Sequence, residues 1–136
     1  MNFILLNKDF KEALTKHRDG LAEMFKKLAH SPEHERPKQA RTINAKVMKF
    51  NKDWPKAKNY FDLHGLTSGA AAVFYVRQIL AETLDDEILL ETGKGVHSKE
   101  QLPKIKRKLQ SYFGQSRNFS ISEDVNNKGV LVLRRL

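Results

Sequence analysis

No cysteine occurs among the 136 residues of this chain. That absence excludes disulfide frameworks and cysteine-based zinc modules, and it fits a reducing, intracellular setting. No run approaches the roughly 18 apolar residues of a membrane-spanning helix. Met1 to Leu6 is apolar, but it is far shorter than a signal-peptide core with its basic flank and cleavage site. A soluble, cytoplasmic protein without a membrane partner is expected. The five histidines are scattered without metal-ligand spacing, and neither an internal repeat nor a low-complexity tract is present. The length suits one full domain plus a small appendage.

What the chain has in excess is positive charge: 25 Lys and Arg against 16 Asp and Glu, for a net charge of +9. Polyanionic partners such as nucleic acid or a ribosomal surface follow as the first class to consider. The excess is uneven, with 14 basic and 7 acidic residues in 1–59 but 11 and 9 in 60–136. The basic part reads as two helices. Phe10, Ala13, Leu14, Leu21, Met24, Phe25 and Leu28 fall at helical spacing, with Asp9 and Glu12 as a capping box. Ser31-Pro32 breaks this helix, and a second begins near Pro37 with Ala40, Ile43, Val47 and Phe50 on its apolar stripe. Asn51 to Asn59 reads as a linker, in which Trp54 either docks on the domain or stacks a base.

From Tyr60 the pattern becomes β-α-β-α-β-β. Tyr60 to His64 and Glu87 to Thr92 are short strands around a helix of about 68–83 capped by Thr67. A helix from about Pro103 to Phe113 follows, and two β-rich runs, Asn118 to Val125 and Val130 to Arg135, flank a turn at Asn126-Asn127-Lys128-Gly129. The first glycines of Asp62-Leu63-His64-Gly65 and Thr92-Gly93-Lys94-Gly95 are separated by about the length of one strand-helix-strand crossover. Parallel strands then bring both motifs to one sheet edge, where open α/β sheets place their ligand sites.

The residues gathered there suit a phosphate-bearing substrate. Alternation puts Asp62 and His64 on one strand face, where the carboxylate orients the ring for acid–base work or the pair merely braces the Gly65 turn. Gly93 and Gly95 allow backbone amides to approach an anion, and Lys94 supplies a point charge. His97 could contact phosphate or be a solvated loop residue. Lys104, Arg107 and Lys108 share one side of the last helix, either as phosphate contacts or as a solvated face. The spacing of a P-loop or dinucleotide fingerprint is absent, so no nucleotide cofactor is expected. Asp62 and His64 could help hold a hydrated divalent ion, but two residues are too few for a dedicated metal site.

Taken in order, Asp62-Leu63-His64-Gly65-Leu66-Thr67 and Thr92-Gly93-Lys94-Gly95-Val96-His97-Ser98 resemble the two signature motifs of the Smr (small MutS-related) domain. The resemblance spans 60–136, with 1–59 similar to the basic helical extension that often precedes eukaryotic Smr domains. It implies a two-layer α/β fold like the carboxyl domain of bacterial translation initiation factor three: a four-stranded mixed sheet in order 1-2-4-3, both helices on one face. Two right-handed crossovers in the same direction agree with that placement.

The same resemblance implies nucleic-acid binding and endonuclease activity. In the eukaryotic type the substrate is messenger RNA on stalled or collided ribosomes, in no-go decay. The family's Asp-x-His pair falls on Asp62 and His64, and its glycine-basic-glycine loop on Gly93, Lys94 and Gly95. Active relatives often carry arginine at the position of Lys94, which keeps the charge without the bidentate fork. A monomeric endoribonuclease is the first expectation, with Asp62, His64 and Lys94 catalytic. A noncatalytic RNA- or ribosome-binding module and a DNA-nicking enzyme are the alternatives. Cleavage could use the substrate's own 2′-hydroxyl without metal, or a metal held by Asp62 and substrate phosphates.

Overall fold

The computed structural model describes residues 8–93 and 104–136, so Lys94, Gly95 and His97 lie outside the described residues. The chain divides into two compact units, Met1–Lys58 and Asn59–Leu136. The first is a helical pair, α1 (Lys8–Ala29) and α2 (Arg36–Asp53), joined through a short 3-10 turn at Glu33–Glu35. Pro37 sits in the first turn of α2, where its missing N–H leaves no hydrogen bond unmade. Phe10, Leu21, Ile43 and Val47 are buried, and the His17 ring stacks on Phe50 with centroids 4.0 Å apart.

Two boundaries in this unit differ from expectation. Lys8 is already helical, so Asp9 lies inside the first described turn and not at a cap. At the other end α2 runs on through Asp53. Asn51 is buried there and donates from its side chain to the Val47 carbonyl at 3.2 Å, which makes a polar residue compatible with the helix interior. Trp54 then packs its ring 6.4 Å from Phe10 within the same unit. It is packed within the helical unit rather than being a linker residue docked on the following domain.

The second unit has the order β1 (Tyr60–Asp62), α3 (Gly69–Glu82), β2 (Glu87–Glu91), α4 (Lys104–Gly114), β3 (Phe119–Asp124) and β4 (Asn127–Arg135). Its four strands form one mixed sheet in the order β1-β2-β4-β3, as the resemblance implied. β1 and β2 are parallel, with Asp62 opposite Glu91, and the remaining pairs are antiparallel. One row across the sheet is Phe61, Leu90, Leu131 and Glu123. Phe61 meets Tyr75 of α3 edge-on and Glu123 pairs with Lys106 of α4. Both helices therefore cover the same face. Leu63, Ile88, Leu90, Leu131 and Leu133 form the buried layer beneath them.

Local chemistry fixes the ends of these elements. Ser68, not Thr67, caps α3, its hydroxyl accepting from the Ala71 amide at 3.1 Å. At the other end of α3 the Arg135 guanidinium donates to the Leu80 and Thr83 carbonyls, each at 2.6 Å. It thus satisfies acceptors that a helix C-terminus leaves open. The hairpin turns at Val125-Asn126, earlier than the Asn-Asn-Lys-Gly run suggested, because Asp124 accepts from the Asn126 amide and pairs with Asn127. Asn127, Lys128 and Gly129 belong to β4.

Candidate active site

Parallel pairing of β1 with β2 sets the site. Because the two strands run the same way, Asp62 and Glu91 come out side by side on the face away from α3 and α4. The chain then leaves β1 in a turn, while the Leu63 amide still donates to the Glu91 carbonyl at 2.8 Å. That last bond holds His64 beside β2. The His64 amide donates to Asp62 Oδ1 at 3.2 Å, and the same oxygen is hydrogen-bonded to His64 Nδ1. Asp62 therefore braces the turn and orients the ring. The bracing of the turn and the orientation of the ring come from the same oxygen.

Exposure separates the roles. The His64 side chain is 40% accessible, against 18% for Asp62 and 21% for Glu91. The imidazole is thus the most accessible of the three side chains, backed by two less accessible carboxylates. Glu91 Oε2 lies 3.8 Å from His64 Nδ1, and Glu91 Oε1 accepts the Tyr60 hydroxyl at 2.5 Å. Burial pushes the Tyr60 phenol above its ordinary value, reinforced by the bond to Glu91 and by the negative charges of Glu91, Asp62 and Asp124. It stays a neutral donor.

Gly93 adjoins the pair. Its φ of +80° is a conformation that suits glycine, and a Cβ there would stand 3.5 Å from His64 Cβ. The start of the glycine loop and the Asp-x-His motif therefore meet, as the crossover argument required for Gly93. Asp62, His64 and Glu91 each offer one donor atom, all within 4.8 Å of one another. One divalent ion could meet that span, but the donors are engaged with each other and with Tyr60, an arrangement that suits proton chemistry.

Lys104, Arg107 and Lys108 are exposed on α4. The stem of Lys108 lies so close over Gly69 that a Cβ on the glycine would come within 2.6 Å of Lys108 Cβ. Its ammonium is thereby carried on an aliphatic stem packed against the first turn of α3. Three residues escaped the sequence reading. Glu91 was signalled only by strand register, as the parallel partner of Asp62, whereas alternation along β1 already puts Tyr60 on the face of Asp62, though without a role. Lys106 sits on the sheet-facing side of α4, paired with Glu123 and donating to the Lys128 carbonyl at 2.9 Å.

No family model matches the chain, and no curated protein matches it in sequence. Among solved structures it is similar to the solution structure of the B3BP Smr domain, at a TM-score of 0.51 and 24% identity, over 71% of this chain and 95% of that one. Among the described residues no helix is long and apolar enough to cross a membrane. By architecture, this chain shares the fold of the B3BP Smr domain.

Proposed function

We propose that the chain is an endoribonuclease, with 1–59 a basic helical extension and 60–136 an Smr-type domain, acting as a monomer in the cytoplasm on messenger RNA at stalled or collided ribosomes. The observation that carries this reading is the imidazole of His64, exposed to a large substrate and hydrogen-bonded to the less accessible Asp62 carboxylate. An orienting carboxylate fixes the ring nitrogen that faces substrate, and His is the commonest proton donor and acceptor near neutral pH. Gly93 adjoins His64, and the motif resemblance gives Lys94, the next residue in sequence, the role of neutralising the scissile phosphate. Lys104, Arg107 and Lys108 supply backbone contacts without reading sequence. The ribosomal setting rests on the motif resemblance.

The test is cleavage of a single-stranded RNA by the purified chain in the presence of a chelator, beside DNA of matched sequence. Cutting of RNA alone, with a cyclic phosphate end, is expected from attack by the 2′-hydroxyl. Loss of cutting with chelator would point to metal-assisted hydrolysis instead, and equal cutting of DNA to a nicking enzyme. Asp62→Asn and His64→Gln should each lower the rate by about a hundredfold or more, with affinity little changed because neither removes many phosphate contacts. An unaltered rate in either variant would falsify the assignment.

A further inference from the structure

The two helices that cover the sheet leave an open groove between their C-terminal halves. Arg77, Leu80 and Ala81 of α3 and Tyr112 of α4 line it, with Phe113 and Phe119 beside them, around a cavity of about 510 Å³. Tyr112 is 41% accessible. At helical spacing Lys104, Lys108 and Tyr112 form one row along α4, and the Lys104 backbone and Lys108 stem both lie against Gly69, the first residue of α3. α3 starts where the chain leaves His64. The row therefore runs from the strand ends that carry the Asp62–His64 pair to the groove, about 12 Å along the helix. Its charge is of one sign. Arg77, Lys104, Arg107 and Lys108 are exposed, and the two helices hold a single carboxylate, Glu82. We infer that the groove is a base-stacking subsite for single-stranded RNA. Tyr112 takes the face of an unstacked base, Arg77 a neighbouring phosphate, and Lys104 and Lys108 the strand between groove and centre. That the ligand is RNA rests on the nuclease reading; the groove, its ring and its charge rest on the geometry.

The Tyr112 ring is presented on a firm base. It meets the ring of Phe113 edge-on at 4.9 Å, and Phe113, itself buried, meets Phe119 edge-on at 5.6 Å. A platform held this way loses little freedom when a base lands on it. Every base has a π-face, so stacking there tolerates sequence, in keeping with cation contacts that also read none. Gln115 and Ser116 line the same groove and offer an amide and a hydroxyl to a base edge. A duplex keeps its bases stacked and meets only the cations, which makes the groove a reader of single strands. An acidic peptide would also find positive charge here. What favours RNA is that the cationic row continues to the edge where the Asp62–His64 pair lies, so one strand can occupy both.

The experiment measures binding of a labelled single-stranded RNA, and of the same strand with abasic positions, to the full chain by fluorescence anisotropy over a salt series. His64→Gln is the parent, so that the strand stays whole. Tyr112→Ala should weaken binding of the normal strand about tenfold, leave the abasic strand nearly unaffected and keep the salt slope, since stacking releases no counterions. Tyr112→Leu keeps apolar cover over Phe113 without a π-face and should bind like the alanine variant, whereas Tyr112→Phe should bind like the parent. Arg77→Gln should weaken both strands alike and reduce the salt slope by about one. Unchanged affinity in Tyr112→Ala, an equal loss on the abasic strand, or parent-like binding by Tyr112→Leu overturns the proposal. If the chain with native His64 nonetheless cuts RNA, the nuclease reading stands and the groove passes to a protein partner. A selective loss in a chain that cuts no RNA keeps the subsite and removes the nuclease reading. A parent that binds no RNA overturns both.

Discussion

At the scale of single residues, the Asp62–His64 pair was legible, but its cause was not strand alternation: β1 ends at Asp62, and His64 meets it through the turn and the bond from its own amide. Glu91 was not legible. Within Ile88-Leu89-Leu90-Glu91 it reads as the polar end of a buried strand, and only the pairing register gives it Asp62 as a neighbour. Lys94 is the residue whose role the motif predicts most sharply. Lys94→Ala should lower the cleavage rate more than the affinity, since a charge at the reacting phosphate gains most as transition-state charge develops. Lys94→Arg should retain or raise activity. A fully active alanine variant would remove Lys94 from the centre.

At the scale of elements, helix and strand existence followed from hydrophobic period, while the ends were set by side-chain bonds that period does not encode. Ser68 over Thr67 as cap, the Asn51 bond that extends α2, and the Asp124 bond that advances the hairpin turn are three such cases. On α4, charge at helical spacing hides two populations. Lys104, Arg107 and Lys108 are exposed, whereas the Lys106 side chain is 15% accessible and tied to Glu123. Replacing the first three together should weaken RNA binding and flatten its salt dependence, as loss of phosphate contacts requires. An unchanged slope would transfer binding to the basic helices of the first unit.

Lys106 predicts a different phenotype. Its hydrogen bond, then its charge, hold the Glu123 carboxyl below the ordinary value of 4.5. A carboxyl lowered in the folded state contributes stability above its unfolded pKa and loses it as pH falls through the folded one. Lys106→Met should therefore remove one component of the stability loss below about pH 4.5, seen as a shallower acid limb in denaturant midpoints. An identical acid limb would show that solvent screens the Lys106–Glu123 pair.

At the scale of the whole molecule, the two units have separate cores. The sheet unit divides again, into a broad antiparallel ladder and one appended strand. β1 has three residues and a single neighbour, β2, yet it supplies Asp62 and Tyr60 and launches His64. A short edge strand is among the first parts of a sheet to open locally, well below the free energy of global unfolding. The centre is consequently a fuse. Under rising denaturant, RNA cutting should fail before the far-ultraviolet signal of the ladder changes, and the Leu63 amide should exchange with solvent faster than that of Leu131. Coincident loss of activity and structure would mean that β1 is welded to the core. If the fuse holds, mild heat can open the Asp62–His64 centre while the antiparallel ladder behind it stays folded.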